Sequence, residues 1–188
     1  MIALGLDPGS RVAGYGVVQM ERDGRFRALA AGAWVLGSGS LAERLLGLHR
    51  SLAALLAEHR PQAAAVEGVF SAKGARSALV LGHARGVALL AAAQAEVPIY
   101  EYPPATVKRS LTHGGASSKE AVARVVRRML SLDAPLRADA TDALAVALCH
   151  LARHGNATVG PWLRALAGAP AATPTPANLL LRAAWRRR

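Results

Sequence analysis

A single cysteine, Cys149, lies in an alanine-rich apolar stretch of this 188-residue chain. One thiol per chain excludes an internal disulfide framework and a thiolate zinc site, and leaves Cys149 as a small core residue. Acids are also scarce, with 12 Asp and Glu against 23 Lys and Arg and a formal net charge of +11. That imbalance suits an anionic partner such as nucleic acid or a membrane surface, although basic proteins in general, ribosome-associated ones among them, share it. Arg164, Arg182, Arg186, Arg187 and Arg188 fall beyond residue 154 with no acid among them, so the first 154 residues keep 18 bases against 12 acids, or +6. A basic surface is therefore expected on the core itself.

Other things are missing too. The N-terminal run MIALGL is broken by Asp7 and Pro8 too early for a signal peptide, and no stretch reads as long and apolar enough to span a bilayer, so a cytoplasmic location is expected. No internal repeat is visible. A serine or tyrosine nucleophile needs an adjacent base, and no recognisable triad is present.

What the sequence does contain is an apolar fraction of 52%, enough to core one domain. Residues 1–154 read as that domain, and 155–188, with GAPAATPTPAN and the ending LLLRAAWRRR, as a Pro/Ala-rich basic tail. Met1 to Leu6 predicts a buried strand, broken at Asp7-Pro8-Gly9-Ser10 and followed by a second strand from Gly14 to Met20, which makes a hairpin. Arg27 to Leu36 predicts a third strand. Leu41, Leu45, Leu48, Leu52 and Leu55 then recur at helical spacing, with Ser40 placed to cap the helix and Pro61 to stop it.

Further strands are expected at Ala63 to Glu67 and Pro98 to Tyr102. Helices are expected at Ser77 to Gln94, Pro104 to Leu111, Ser118 to Leu132 and Ala138 to His154. Val87 to Ala93 is apolar almost all round, which suits burial on several sides or contact with another subunit. A strand meander followed by alternating helices and strands describes an α/β fold, a mixed sheet flanked by helices.

Four acids sit in apolar company: Asp7 in LGLD, Glu67 in AAAVEG, and Asp139 and Asp142 in ADATDALAVAL. A buried ionised carboxylate costs several kcal/mol, and clustered carboxylates raise one another's pKa unless a cation neutralises them. Asp7 and Glu67 each end a strand, and meet at one sheet edge if those strands are parallel neighbours. Asp139 and Asp142 lie three apart on one helix face, about 5–6 Å apart at Cβ, and the small alanines around them allow close approach to the sheet. Hard oxygen donors without a Cys or His cluster favour Mg2+ or Mn2+ over zinc, and two such ions about 3.5–4 Å apart suit phosphodiester hydrolysis. Each acid taken singly has a plainer explanation: Asp7 before Pro-Gly as a turn former, Glu67 as an arginine partner, Asp139 as a helix-dipole charge. Glu101 in IYEYPP is equally apolar-flanked, and spacing alone does not exclude it.

The segments LGLDPGSRVAGYGVV, AVEGVF, AKGARSALVLGHARGVA, EYPPATVKRSLT and RADATDALAVAL, in this order over residues 2–150, resemble the RuvC family of bacterial Holliday junction resolvases. The resemblance implies a ribonuclease H-like fold, a homodimer, and paired symmetric nicks across four-way junction DNA in recombination and repair, alongside the RuvA and RuvB branch-migration proteins. It marks Asp7, Glu67, Asp139 and Asp142 as the catalytic set for two divalent cations, Mg2+ or Mn2+, and leaves Glu101 outside it. It further implies DNA contacts from Phe70, Arg76, Lys108 and Lys119. The chain departs from the family pattern at Gly74, where Asn is common, and at His113, where Gly usually stands. A lone loop histidine such as His113 reads as a surface residue rather than a general base. LGLDPGS is also similar to the first phosphate loop of sugar-kinase and actin-like ATPases, but their second domain and second phosphate motif are missing. A catalytically inert junction-binding module is the remaining rival, against which all four acids argue.

Overall fold

The computed structural model describes residues 1–68, 74–112 and 117–155. Phe70, His113 and the tail expected beyond Gly155 lie outside the described residues. The elements run β1 (Ile2–Asp7), β2 (Val12–Met20), β3 (Phe26–Val35), α1 (Leu41–His59), β4 (Ala63–Glu67), α2 (Ala75–Gln94), β5 (Ile99–Tyr102), α3 (Pro104–Leu111), α4 (Lys119–Met129) and α5 (Ala138–His154).

The sheet order is β3-β2-β1-β4-β5. The antiparallel meander of β1 to β3 follows from the tight Asp7–Arg11 and Glu21–Arg25 turns. β4 and β5 join in parallel because a helix carries the chain back before each of them. The first strand is thus central, with β4 beside it, as the placement of Asp7 and Glu67 required.

Side-chain alternation along the strands divides the core in two. Leu4, Leu6, Val17, Ala64, Val66 and Ile99 face α1 and α2. Ala3, Val18, Ala65 and Tyr102 face α3, α4 and α5. On the first face, α1 is closed by a capping box in which Glu43 N donates to Ser40 Oγ (3.3 Å) and Ser40 N donates to Glu43 Oε2 (2.7 Å).

The expected α5 and β4 match the observed elements, whereas α4 stops at Met129 because Ser131 turns left-handed (φ 50°). The helix α2 departs in one respect. It is long and apolar enough, by length and composition, to cross a membrane, contrary to the sequence expectation. Of the two alternatives for its apolar surface, burial on several sides does not hold, since it buries only Ala84, Ala88, Ala91 and Ala92, on one side, and leaves Leu79 and Leu90 66% and 54% exposed. Its alanine face packs on α1 and the sheet, and Arg85 forms an ion pair with Glu101 of β5, so it is a helix of this domain with one apolar side uncovered.

Candidate active site

Asp7 and Glu67 end the adjacent parallel strands β1 and β4, so both carboxylates leave the sheet at the same edge. They also leave on the same face. Gly5, two residues before Asp7, lies against the Ala143 backbone of α5, and Ala65, two before Glu67, belongs to the core under that helix. Because side chains alternate, Asp7 and Glu67 point toward α5, whose first two turns carry Asp139 and Asp142.

How α5 comes so near was only half legible. Its own Ala143 and Ala147 are small, as expected, but the strands contribute as much through glycine. A Cβ at Gly5 would meet the Ala143 carbonyl, one at Gly14 the Asp139 carbonyl, and one at Gly16 the Leu144 side chain. Gly14 and Gly16 flank Tyr15 in a strand, and that period-two pair of glycines was the available signal for a helix lying directly on the sheet.

The electrostatics follow from this packing. Asp7 is raised to about 6, first by burial and then by the charges of Asp142, Glu67 and Asp139, with Lys119 opposing. Glu67 is raised by burial and by Asp142, against Lys119 and Lys108. Asp7 thus feels all three of the other acids, and Glu67 feels Asp142. Two already have basic partners: Lys119 Nζ donates to Asp142 Oδ2 at 3.1 Å, and Arg137 Nε stands 3.8 Å from Asp139 Oδ2. Lys119 is raised in turn, chiefly by that bond. Among the described residues no three carboxylates are gathered closely enough to hold an ion as they stand. Their chemistry nonetheless fits one, since crowded hard oxygen donors are what Mg2+ or Mn2+ relieves.

Glu101 belongs elsewhere. It pairs in register with Val66, faces α2, and is held by Arg85. The sheet separates it from the four acids.

The same edge gathers helix starts. β3, β1, β4 and β5 all point there, so α1, α2 and α3, which follow β3, β4 and β5, begin there. α5 begins beside Asp7, and α4 begins with Lys119 on Asp142. Five helix N-termini bring partial positive charge to this edge, a favourable field for phosphates. Arg76 stands exposed in the first turn of α2, and Lys108 of α3 is near enough to lower Glu67. The turn after Asp7 is tied from α1, where Arg44 Nη1 donates to the Ser10 carbonyl at 2.9 Å. Gly74 caps α2 at φ 103°, a conformation that side chains disfavour, so glycine suits the position where the family pattern has Asn.

The family model described as crossover junction endodeoxyribonuclease RuvC matches residues 3–150. The crossover junction endodeoxyribonuclease RuvC of Myxococcus xanthus is 58% identical over 163 residues, 85% of this chain and 84% of that protein. The Thermus thermophilus RuvC structure superposes with a TM-score of 0.74 at 37% identity, covering 80% of this chain and 93% of its own. The same protein in complex with a Holliday junction substrate gives 0.75 at 36%, covering 80% and 92%. The mixed five-stranded sheet with its flanking helices is the ribonuclease H-like arrangement of those structures, and the chain belongs to the RuvC family of crossover junction endodeoxyribonucleases.

Proposed function

We propose that Asp7, Glu67, Asp139 and Asp142 hold two divalent cations, Mg2+ or Mn2+, and that the chain uses them to nick four-way junction DNA. The observation that carries this reading is the convergence of Asp7 and Glu67, at the ends of adjacent parallel strands, on the start of the helix that carries Asp139 and Asp142, a crowding that with burial pushes Asp7 up to about 6. When bound, the cations supply activation of the attacking water and stabilisation of the leaving oxygen. Asp7 and Glu67, on the sheet, are the fixed donors. Asp139 and Asp142, on α5, complete the set from the other side, leaving Arg137 and Lys119 to turn toward DNA. Lys108, Lys119 and Arg76 contact phosphates, and Phe70 stacks on bases. The products are a 5′-phosphate and a 3′-hydroxyl.

Two symmetric nicks need two copies. The uncovered stripe of α2, with Leu79, Gly82, Gly86 and Leu90, suits a homodimer, because a Cβ at Gly82 or Gly86 would meet nothing within 4 Å and a second helix is free to come close there. The dimer works with RuvA and RuvB in the cytoplasm.

The deciding experiment compares cleavage of a labelled four-way junction with cleavage of linear duplex, in Mg2+ and in Mn2+, for the wild type and Asp7→Asn. Junction cutting that Asp7→Asn abolishes is expected. Binding without cutting in either metal overturns the nuclease mechanism, and equal cutting of linear duplex overturns the junction preference.

A further inference from the structure

On the face of the sheet that α5 covers, the core buries a polar pair. Tyr102, at the end of β5, is 0% exposed and His150 of α5 is 1% exposed, and the Tyr102 hydroxyl and His150 Nδ1 share a hydrogen bond of 2.8 Å. His150 Nε2 is buried with no hydrogen-bond partner among the described residues, while its ring stacks on His154 at 4.6 Å. Burying these polar atoms costs free energy, and the orphaned nitrogen adds to the cost. A phenylalanine and a leucine would fill similar space without it. A polar pair kept at such a cost is a candidate for fixing one geometry among several that apolar packing tolerates.

The geometry in question is the axial register of α5. Near the acids this helix rides on Gly5, Gly14 and Gly16 with its own Ala143 and Ala147. That seam sets how close the helix comes, and the buried Leu144, Leu148 and Leu151 fill the space along α5 with contacts that have no direction of their own. Tyr102 is the register partner of Glu67, and its carbonyl accepts from Gly68 N at 2.8 Å. His150 lies about two turns, roughly 12 Å, beyond Asp142 on α5. One directional bond therefore joins the strand pair that presents Glu67 to the helix that presents Asp139 and Asp142.

We propose that Tyr102 and His150 are a positioning pair that sets the register of α5 and so the spacing between the two strand-end carboxylates and the two helical ones. This inference rests on the reading that the four acids hold cations. Burial keeps the Tyr102 hydroxyl protonated and pushes His150 down to about 3, so the bond persists across the working pH range.

The test uses Tyr102→Phe and the double variant Tyr102→Phe/His150→Leu, with thermal unfolding, Mn2+ titration followed by electron paramagnetic resonance, and single-turnover junction cleavage. The double variant is expected to melt at or above the wild-type Tm, while Mn2+ affinity and single-turnover rate each fall about tenfold or more and junction affinity in Ca2+ is unchanged. Tyr102→Phe should shift metal affinity and rate in the same direction. Wild-type Mn2+ affinity and rate in a stable double variant overturn the proposal. So does a loss of metal affinity matched by equal losses in Tm and junction affinity, which is the pattern of loosened packing. Should the double variant not fold, Tyr102→Phe decides on the same measurements. Asp7→Asn serves as the control: if it binds Mn2+ like the wild type, the cation reading itself fails, and the register proposal falls with it.

Discussion

Gly14 lies directly against the main-chain carbonyl of Asp139, and the same Gly14 is the antiparallel partner of Asp7. One glycine thus sets the distance between a strand-end acid and a helical one. Gly14→Ala would drive a methyl group into the Asp139 carbonyl and lift the start of α5. Overpacking of this kind costs about 1–3 kcal/mol, so denaturant unfolding should show that loss and Mn2+ titration should show weakened binding.

The raised Asp7 makes stability depend on pH. Its folded pKa, about 6, lies above the ordinary 3.8, so folding favours the protonated form. That contribution is complete below about 3.8 and is lost as pH rises through 6. Two units correspond to at most about 3 kcal/mol, and water at this partly exposed carboxylate leaves roughly 1–2. In EDTA, Asp7→Asn should therefore exceed the wild type in stability at pH 7.5 and lose that advantage by pH 4. Mg2+ should stabilise the wild type more than the variant.

His150 carries the opposite sign. Burial and then the charge of His154 hold it at about 3, below its ordinary 6.5, so its contribution is present above 6.5 and is lost as pH falls through 3. Between those values one proton adds a slope of about 1.4 kcal/mol per pH unit. His150→Leu should show a shallower acid limb in stability plotted against pH.

Lys119 is 74% exposed, so its bond to Asp142 contributes little to stability, about 1 kcal/mol at most. Lys119→Met should accordingly leave Tm nearly unchanged. Cleavage should fall, and the slope of log junction affinity against log salt should decrease by about 1, as expected for one lost phosphate contact.

Leu79 and Leu90 leave an apolar stripe of α2 uncovered. Leu90→Lys places a charge on an exposed position, so the monomer should fold normally. Light scattering at micromolar concentration should report a dimer for the wild type and a monomer for the variant.

Much of this architecture was legible because its signals are local. The strand ending at Glu67, the helix Ala138–His154 and the Ser40 cap depend on neighbouring residues alone. Even the acids could be picked out by their apolar flanks. Glu101 shows where this stops. Its flanks resemble those of Glu67, and what separates the two is the pairing of Val66 with Glu101, a register between strands that no local pattern encodes. The Tyr102–His150 bond was hidden for the same reason, since 48 residues separate its ends. For α2 two alternatives stayed open, burial on several sides or contact with another subunit, because composition records how apolar a helix is but not which side the rest of the chain covers.

The two faces of the sheet also bear on how such a protein can change. The acids, their basic partners and the Tyr102–His150 bond occupy one side, while α1, α2 and the Arg85–Glu101 pair occupy the other. Substitutions on opposite sides share few neighbours, so their effects should add rather than compound. The exposed stripe of α2 can then change without disturbing the acids, with the strands acting as a partition between two separately tunable surfaces.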